Sequence, residues 1–179
     1  RPAPPTVAIL PLNGAIGSLG PARRGLTIAA LADPIERAFK LRNLKAVALA
    51  INSPGGSPVQ SSLIHRRIRA LAAEKAVPVI AFAEDVAASG GYWLALAADE
   101  IFADENSIVG SIGVIYSGFG LKNLMERYGI ERRLHTSGER KSMLDPFLDE
   151  KPDDVERLKA LQADIHESFQ SLVRERRRG

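Results

Sequence analysis

Two short stretches of the 179-residue chain carry residue types suited to nucleophilic chemistry. In DVAASGGYW (85–93), Ser89 stands between two alanines and two glycines, just after an apolar run. A packed core favours methyl groups at such a place, and an ordinary turn favours Asn or Asp. A hydroxyl with so little bulk around it is free to meet a carbonyl carbon. A helix starting directly after it adds unpaired N–H groups and the positive end of a dipole. Gly90 and Gly91 let a second backbone come close with no Cβ in the way. These are the conditions for a serine nucleophile beside an oxyanion hole, where N–H donors must reach a developing negative charge. The alternative is a serine that only caps the next helix in a tight packing corner. NSPGGS (52–57) repeats the arrangement after another apolar run. Two such strand ends converging on one carbonyl oxygen would offer Gly56 and Gly90 as the two donors. Taken alone, Pro-Gly-Gly is a turn.

A serine attacks only when a base takes its proton. His65, in HRRIR (65–69), is expected on the polar side of a helix. His135 follows Arg132 and Arg133 in a predicted strand, and His166 flanks the apolar stripe of the last helix. None has motif context and each reads as a surface or structural histidine, so a Ser-His-Asp triad is disfavoured without being excluded. Lysine is the other option, because burial away from counter-charges favours its neutral, basic form. Lys141, in SGERKSMLDPF (137–147), precedes small and apolar residues and a Pro-Phe pair able to wall it off. The residues alone do not single it out from other loop lysines.

The elements that must position these groups follow from the apolar pattern. TVAILPL (6–12), AVALAIN (46–52) and VPVIAFAE (77–84) read as strands, the last two buried on both faces. Gly14 and Gly17 open a flexible loop after the first. IAALADPIERAFKL (28–41) reads as a helix entered around Asp33-Pro34. A second helix runs from Val59 to Lys75, with Leu63, Ile64, Ile68, Leu71 and Ala72 on one face. GGYWLALAA (90–98) forms a third. EIFAD and SIVGSIGVIY predict a strand or strand-turn-strand, and LKNLMERYG a short helix ended by Gly129. ERRLHTSG (131–138) predicts a strand, followed by a polar loop over 139–154. A long helix begins at Pro152, with Val155, Leu158, Leu161, Ile165, Phe169 and Leu172 as its stripe. Strands alternating with helices predict one α/β domain with a largely parallel sheet.

Composition narrows the function classes. The net charge of +3, from 24 basic and 21 acidic residues, is too slight to imply a nucleic-acid partner. HRRIR and RERRR (174–178) read as solvated helix faces with favourable charge near a helix C-terminus, with contact to a membrane surface as the alternative. No cysteine is present, which excludes disulfides, thiolate metal sites and cysteine nucleophiles. No apolar run reaches membrane-spanning length and no signal peptide is visible, which leaves location open. No Gly-rich nucleotide motif follows a strand.

INSPGGSPVQS, AEDVAASGGYWLALAADEIFAD, SIVGSIGVI and SGERKSMLDPF stand in an order and spacing that together resemble the signal peptide peptidase A family of Ser-Lys serine peptidases. The four blocks span most of residues 47–147, with general similarity also at VAILPLNGAI. The resemblance implies Ser89 as nucleophile, Lys141 as general base, and Ser111, in VGSIGV, as the serine that orients the lysine. It implies Gly56 and the Gly90 amide as oxyanion hole, in agreement with the reading of the residues themselves. It also implies a ClpP/crotonase-like α/β spiral, which periodicity alone does not specify. No metal or organic cofactor is implied. The implied partners are unfolded, apolar or membrane-derived peptides, such as remnant signal peptides. A homo-oligomer with active sites shared between subunits is implied as well, as is membrane association with an extracytoplasmic catalytic domain. Residues 1–179 are expected to form a single peptidase domain. The family's N-terminal anchor is not seen in this sequence, and the C-terminal part of the family domain is expected to be missing from it. Two other classes compete: a crotonase-type acyl-CoA enzyme, which polarises a carbonyl with two amides but needs no serine, and a non-catalytic oligomeric scaffold.

Overall fold

The computed structural model describes residues 3–18, 20, 25–138 and 140–177. Glu139, in the block of Lys141, and Arg178, in the second basic cluster, lie outside the described residues. The elements are β1 (Thr6–Asn13), α1 (Ile28–Phe39), β2 (Leu44–Ser53), α2 (Pro58–Lys75), β3 (Val79–Ala88), α3 (Gly90–Ala95), β4 (Glu100–Ala103), β5 (Ile108–Gly110), α4 (Lys122–Arg127) and α5 (Pro152–Arg176). They group into two compact units, residues 1–113 with 169–179, and residues 114–168.

The first unit holds a parallel sheet in the order β1-β2-β3-β4, with β5 pairing the far end of β3. Parallel neighbours need crossovers, and α1, α2 and α3 supply them. Alternate residues of β1 and β2, such as Leu10, Leu12, Leu49 and Ile51, pack with Leu31, Ile35, Ile64 and Ile68 from the helices into one core. This mostly parallel sheet with helices is an α/β architecture consistent with the ClpP-like expectation.

Burial of β2 and β3 on both faces is not observed. Ala46, Ala48 and Ala50 are only half-buried, and Phe82 is exposed, stacked on Phe102 at 5.6 Å. An unbroken apolar run therefore did not mean two covered faces here, because small alanines tolerate partial exposure. Helix α1 also starts earlier than expected. Thr27 caps it, its Oγ accepting from the Ala30 amide at 3.2 Å, and Pro34 lies inside the helix rather than at its start. Helix α2 buries Ser61, Ile64, His65, Ile68, Leu71 and Ala72, while Leu63 is half-buried. His65 is thus on the core side, not the polar side: it falls between Ser61 and Ile68 on one helical face. The basic clusters are not simply solvated. Arg67 pairs with Glu36, and Arg69 and Arg176 both reach Asp99.

The second unit contains α4 and the first part of α5. Residues 111–120 have no regular structure and 131–138 form no strand. Neither stretch finds a neighbouring ladder among the described residues. Ile115 is 88% exposed, Phe119 82% and Tyr128 71%, an unusual exposure for such large side chains. The α5 stripe is likewise uneven: Leu161 is exposed, Val155, Leu158, Ile165 and Leu172 are half-buried, and Phe169, in the first unit, is fully buried. No helix among the described residues is long and apolar enough to cross a membrane.

Candidate active site

Strands β2 and β3 are neighbours, so the turns that follow them emerge at the same edge of the sheet. The first turn is Pro54-Gly55-Gly56-Ser57, with Gly55 at φ 97° and Gly56 at φ 145°. It is pinned from both sides. The Gly55 amide donates to Ser53 Oγ at 3.2 Å, and the Gly55 carbonyl accepts from the Ile16 amide at 2.9 Å. The Ser57 amide donates to Ile16 O at 2.8 Å, and Ser57 Oγ caps α2 through the Gln60 amide at 3.3 Å. A Cβ on Gly56 would lie 2.1 Å from Ile16 O, so only glycine fits beneath the loop after β1. The Gly56 amide itself has no acceptor among the described residues.

The second turn is Ser89. Its φ of 52° and ψ of −119° place a non-glycine residue in a sparsely populated backbone region. The half-buried Ser89 stands at the N-cap of α3, yet its hydroxyl makes no capping bond. That rules against the cap reading. Backbone bonds hold the strained residue instead: its amide donates to Gly110 O at 2.7 Å, and its carbonyl accepts from the Trp93 amide at 3.0 Å. The two glycine turns touch. A Cβ on Gly55 would lie 2.6 Å from Gly90 N and 2.8 Å from Ser89 Cβ. A Cβ on Gly91 would lie 2.4 Å from Ser53 O. As first residue of α3, Gly90 offers an amide with no helical partner.

Gly110, which accepts the Ser89 amide, immediately precedes Ser111. Ser111 is exposed and shares the left-handed backbone of Ser89, with φ 53°. The first unit therefore brings together Ser89, Gly90, Gly55, Gly56 and the peptide leading into Ser111.

Lys141 belongs to the second unit, in a turn over residues 140–144. It is exposed and has no ion-pair partner among the described residues. Just beyond it, Asp145 pairs with Arg132 and accepts from the Phe147 amide at 3.0 Å. The Arg132 guanidinium also lies over the Phe147 ring, 4.8 Å from its centre. Its hydrogen bond to Asp145 holds that carboxyl below the usual range, with the Phe147 amide adding to the effect. The Asp-Pro-Phe end of this block is thus a tied corner that shapes the turn carrying Lys141.

Within the first unit, histidine offers no base beside Ser89. His65 faces Leu96, the residue that closes α3, at the opposite end of that helix from Ser89, about 10 Å away by helical rise. Its Nε2 is buried and has no partner. Desolvation pushes its pKa down to about 4, with Arg176, Arg69 and Arg66 adding to that effect. His135 is exposed in irregular chain, and His166 lies on α5. No cluster of potential metal ligands occurs among the described residues. Sequence reasoning missed Gly55 as the point of closest approach, and its only signal was its place in the glycine pair.

The sequence profile of Peptidase family S49 matches residues 71–178. Similar curated proteins include the Na(+)/H(+) antiporter NhaA of Brucella melitensis, 54% identical over 97% of this chain and 24% of that protein. The chloroplastic serine protease SPPA of Arabidopsis thaliana is 36% identical over 77% of this chain and 21% of its own length. The putative signal peptide peptidase SppA of Enterococcus faecium is 34% identical over 73% and 37%. A parallel-sheet α/β fold, together with these matches, places the chain among members of a peptidase family. It belongs to peptidase family S49, the signal peptide peptidase A family. The chain spans between about a fifth and two fifths of the length of these relatives.

Proposed function

We propose that this chain carries the catalytic centre of a serine endopeptidase with a Ser89–Lys141 dyad. The observation that carries the reading is Ser89 itself: a strained backbone, an unused hydroxyl, and Gly55 pressed against it. Ser89 Oγ attacks the scissile carbonyl while neutral Lys141 Nζ takes its proton. The carbonyl oxygen becomes an oxyanion held by the Gly56 and Gly90 amides. As the C–N bond breaks, the leaving amine takes the proton from Lys141 and an ester to Ser89 remains. Water, deprotonated by Lys141, then cleaves that ester and restores the serine. Ser111 orients the lysine. Activity rises towards alkaline pH, since only an uncharged amine accepts a proton.

The substrates we assign are unfolded, apolar or membrane-derived peptides, in line with the relative named as a signal peptide peptidase. We read the two units as parts of one peptidase domain. The exposed Ile115, Phe119 and Tyr128 of the second unit support a homo-oligomer; membrane association and an extracytoplasmic domain rest on the family resemblance alone. The antiporter name attaches to a protein about four times as long as the matched stretch, and a protease-named relative matches 77% of this chain. The test is cleavage of an unfolded protein and an apolar peptide by wild type, Ser89→Ala and Lys141→Ala. Loss in both variants, with folding intact, supports the dyad. Mixing the two inactive variants restores activity if the site is shared between subunits. Binding of a CoA thioester, or activity surviving in Ser89→Ala, would favour the crotonase-type reading instead. A scaffold role would leave every cellular phenotype intact in Ser89→Ala.

A further inference from the structure

The end of α5 is built into the helix that presents Ser89. Helix α3 has only six residues, and a helix leaves its last carbonyls without partners of its own. Three successive carbonyls after it are taken by two guanidinium groups. Arg176 Nε donates to Leu96 O at 3.0 Å and its Nη2 to Ala98 O at 2.9 Å. Arg69 Nη1, from α2, donates to the intervening Ala97 O at 3.1 Å. Asp99 ties both arginines together, its Oδ1 accepting from Arg69 at 2.8 Å and from Arg176 at 3.3 Å. Its Oδ2 accepts from the Val79 amide at 2.9 Å, and its own amide donates to Val79 O at 2.7 Å, which anchors the group to the start of β3. Beside this clamp, Phe169 of α5 stacks on Trp93 at 4.7 Å, and both pack with Leu96.

Strand β3 leads into Ser89 and the clamp closes the far end of α3, so the short segment between them is fixed at both ends. We infer that Arg176, with Phe169, is a positioning residue for the nucleophile: by fixing the C-terminal end of α3 it holds Ser89 and the Gly90 amide in register. This rests on the assignment of Ser89 above. Arg176 touches neither Ser89 nor substrate, and acts only through α3. The bidentate reach to Leu96 O and Ala98 O demands a planar fork, which a lysine ammonium does not reproduce.

The protein carries one tryptophan, Trp93, so its fluorescence reports the docking of α5 directly. The experiment measures labelling of Ser89 by a small fluorophosphonate in wild type, Arg176→Lys, Arg176→Ala, Phe169→Leu and the control Arg174→Ala, well below each melting temperature. Ser89→Ala sets the background. The expected result is a saturating labelling rate lower on the order of tenfold in Arg176→Ala, with the half-saturating probe concentration unchanged. Arg176→Lys falls between, Phe169→Leu is also slowed, and Arg174→Ala matches wild type. Trp93 emission shifts to the red in the slowed variants. A merely structural role lowers the fraction of protein that labels, not the rate at which the folded fraction labels. That outcome overturns the inference, as does a red-shifted Trp93 with a wild-type rate. Arg176→Lys preserves charge and length and so keeps the test alive if Arg176→Ala does not fold. Absence of Ser89 labelling in the wild type overturns the nucleophile assignment and the positioning role with it.

Discussion

A methyl group added at Gly55 would lie 2.6 Å from the Gly90 amide nitrogen, 2.8 Å from Ser89 Cβ and 2.9 Å from Ala88 O. Ordinary contact begins at 3.4 Å, so the nearest neighbour must retreat by about 0.8 Å, and none of the three is the flexible end of a side chain. Gly55→Ala therefore moves the very atoms proposed as nucleophile and oxyanion donor. A displacement near 1 Å of a catalytic group costs on the order of 10²-fold in rate. The substitution also destabilises, by about 1–2 kcal/mol for the left-handed backbone and about 1–3 kcal/mol for overpacking. The control is Gly14→Ala. Gly14 has the same φ of 97° but nothing within 4 Å of its Cβ position, so it incurs the backbone cost without the wedge. Peptide hydrolysis and thermal melting are measured on both. The expected result is a drop near two orders of magnitude in Gly55→Ala and near-normal activity in folded Gly14→Ala. Gly55→Ala within twofold of wild type, or two variants equally impaired, would refute the geometric argument.

Three further outcomes follow from named contacts. His65 is neutral in the fold, with a pKa near 4 against 6.5 for an ordinary histidine. The unfolded chain therefore binds this proton first, and stability falls as the pH drops from about 6.5 to about 4. The loss is on the order of 3 kcal/mol, chiefly because burial strips water from the charged ring, with Arg176, Arg69 and Arg66 adding repulsion and Asp99 already shared by two of them. Melting curves should show His65→Leu losing much less between pH 7 and pH 4 than wild type; equal losses would contradict this. Asp145→Ala removes the Arg132 pair and the Phe147 cap, so hydrolysis should fall on the order of tenfold while Trp93 emission stays unchanged. Ser57→Ala removes the α2 cap, which should cost about 1 kcal/mol, a shift of about 2–4 °C by differential scanning fluorimetry.

The sequence was most readable where chain physics is local. The β2 and β3 runs, the glycine turns after them and the long last helix follow from apolar period and backbone freedom, and their positions hold within a few residues. The setting of Ser89, between the end of β3 and the start of α3, was legible for the same reason, since small residues follow the apolar run there. What escaped depended on distant partners. The helical face of α2 is settled by α1 and α3, so His65 went inside although its neighbours in sequence are arginines. Arg176 looked like part of a solvated basic tail, and only the carbonyls left without helical partners at the end of α3 gave it a role. Residues 131–138 were expected to form a strand, but a strand needs a ladder, and no described neighbour provides one. Lys141 became a candidate only through resemblance, because a lysine in a polar loop carries no local mark of a catalytic role.

The measurement that bears most directly on the central claim is cleavage of an apolar peptide by wild type, Ser89→Ala and Lys141→Ala, each verified as folded, across neutral to alkaline pH. The account predicts a wild-type rate that climbs with pH, and no cleavage above background in either variant. Activity that survives in Ser89→Ala, or a Lys141→Ala enzyme with the wild-type pH profile, would contradict it.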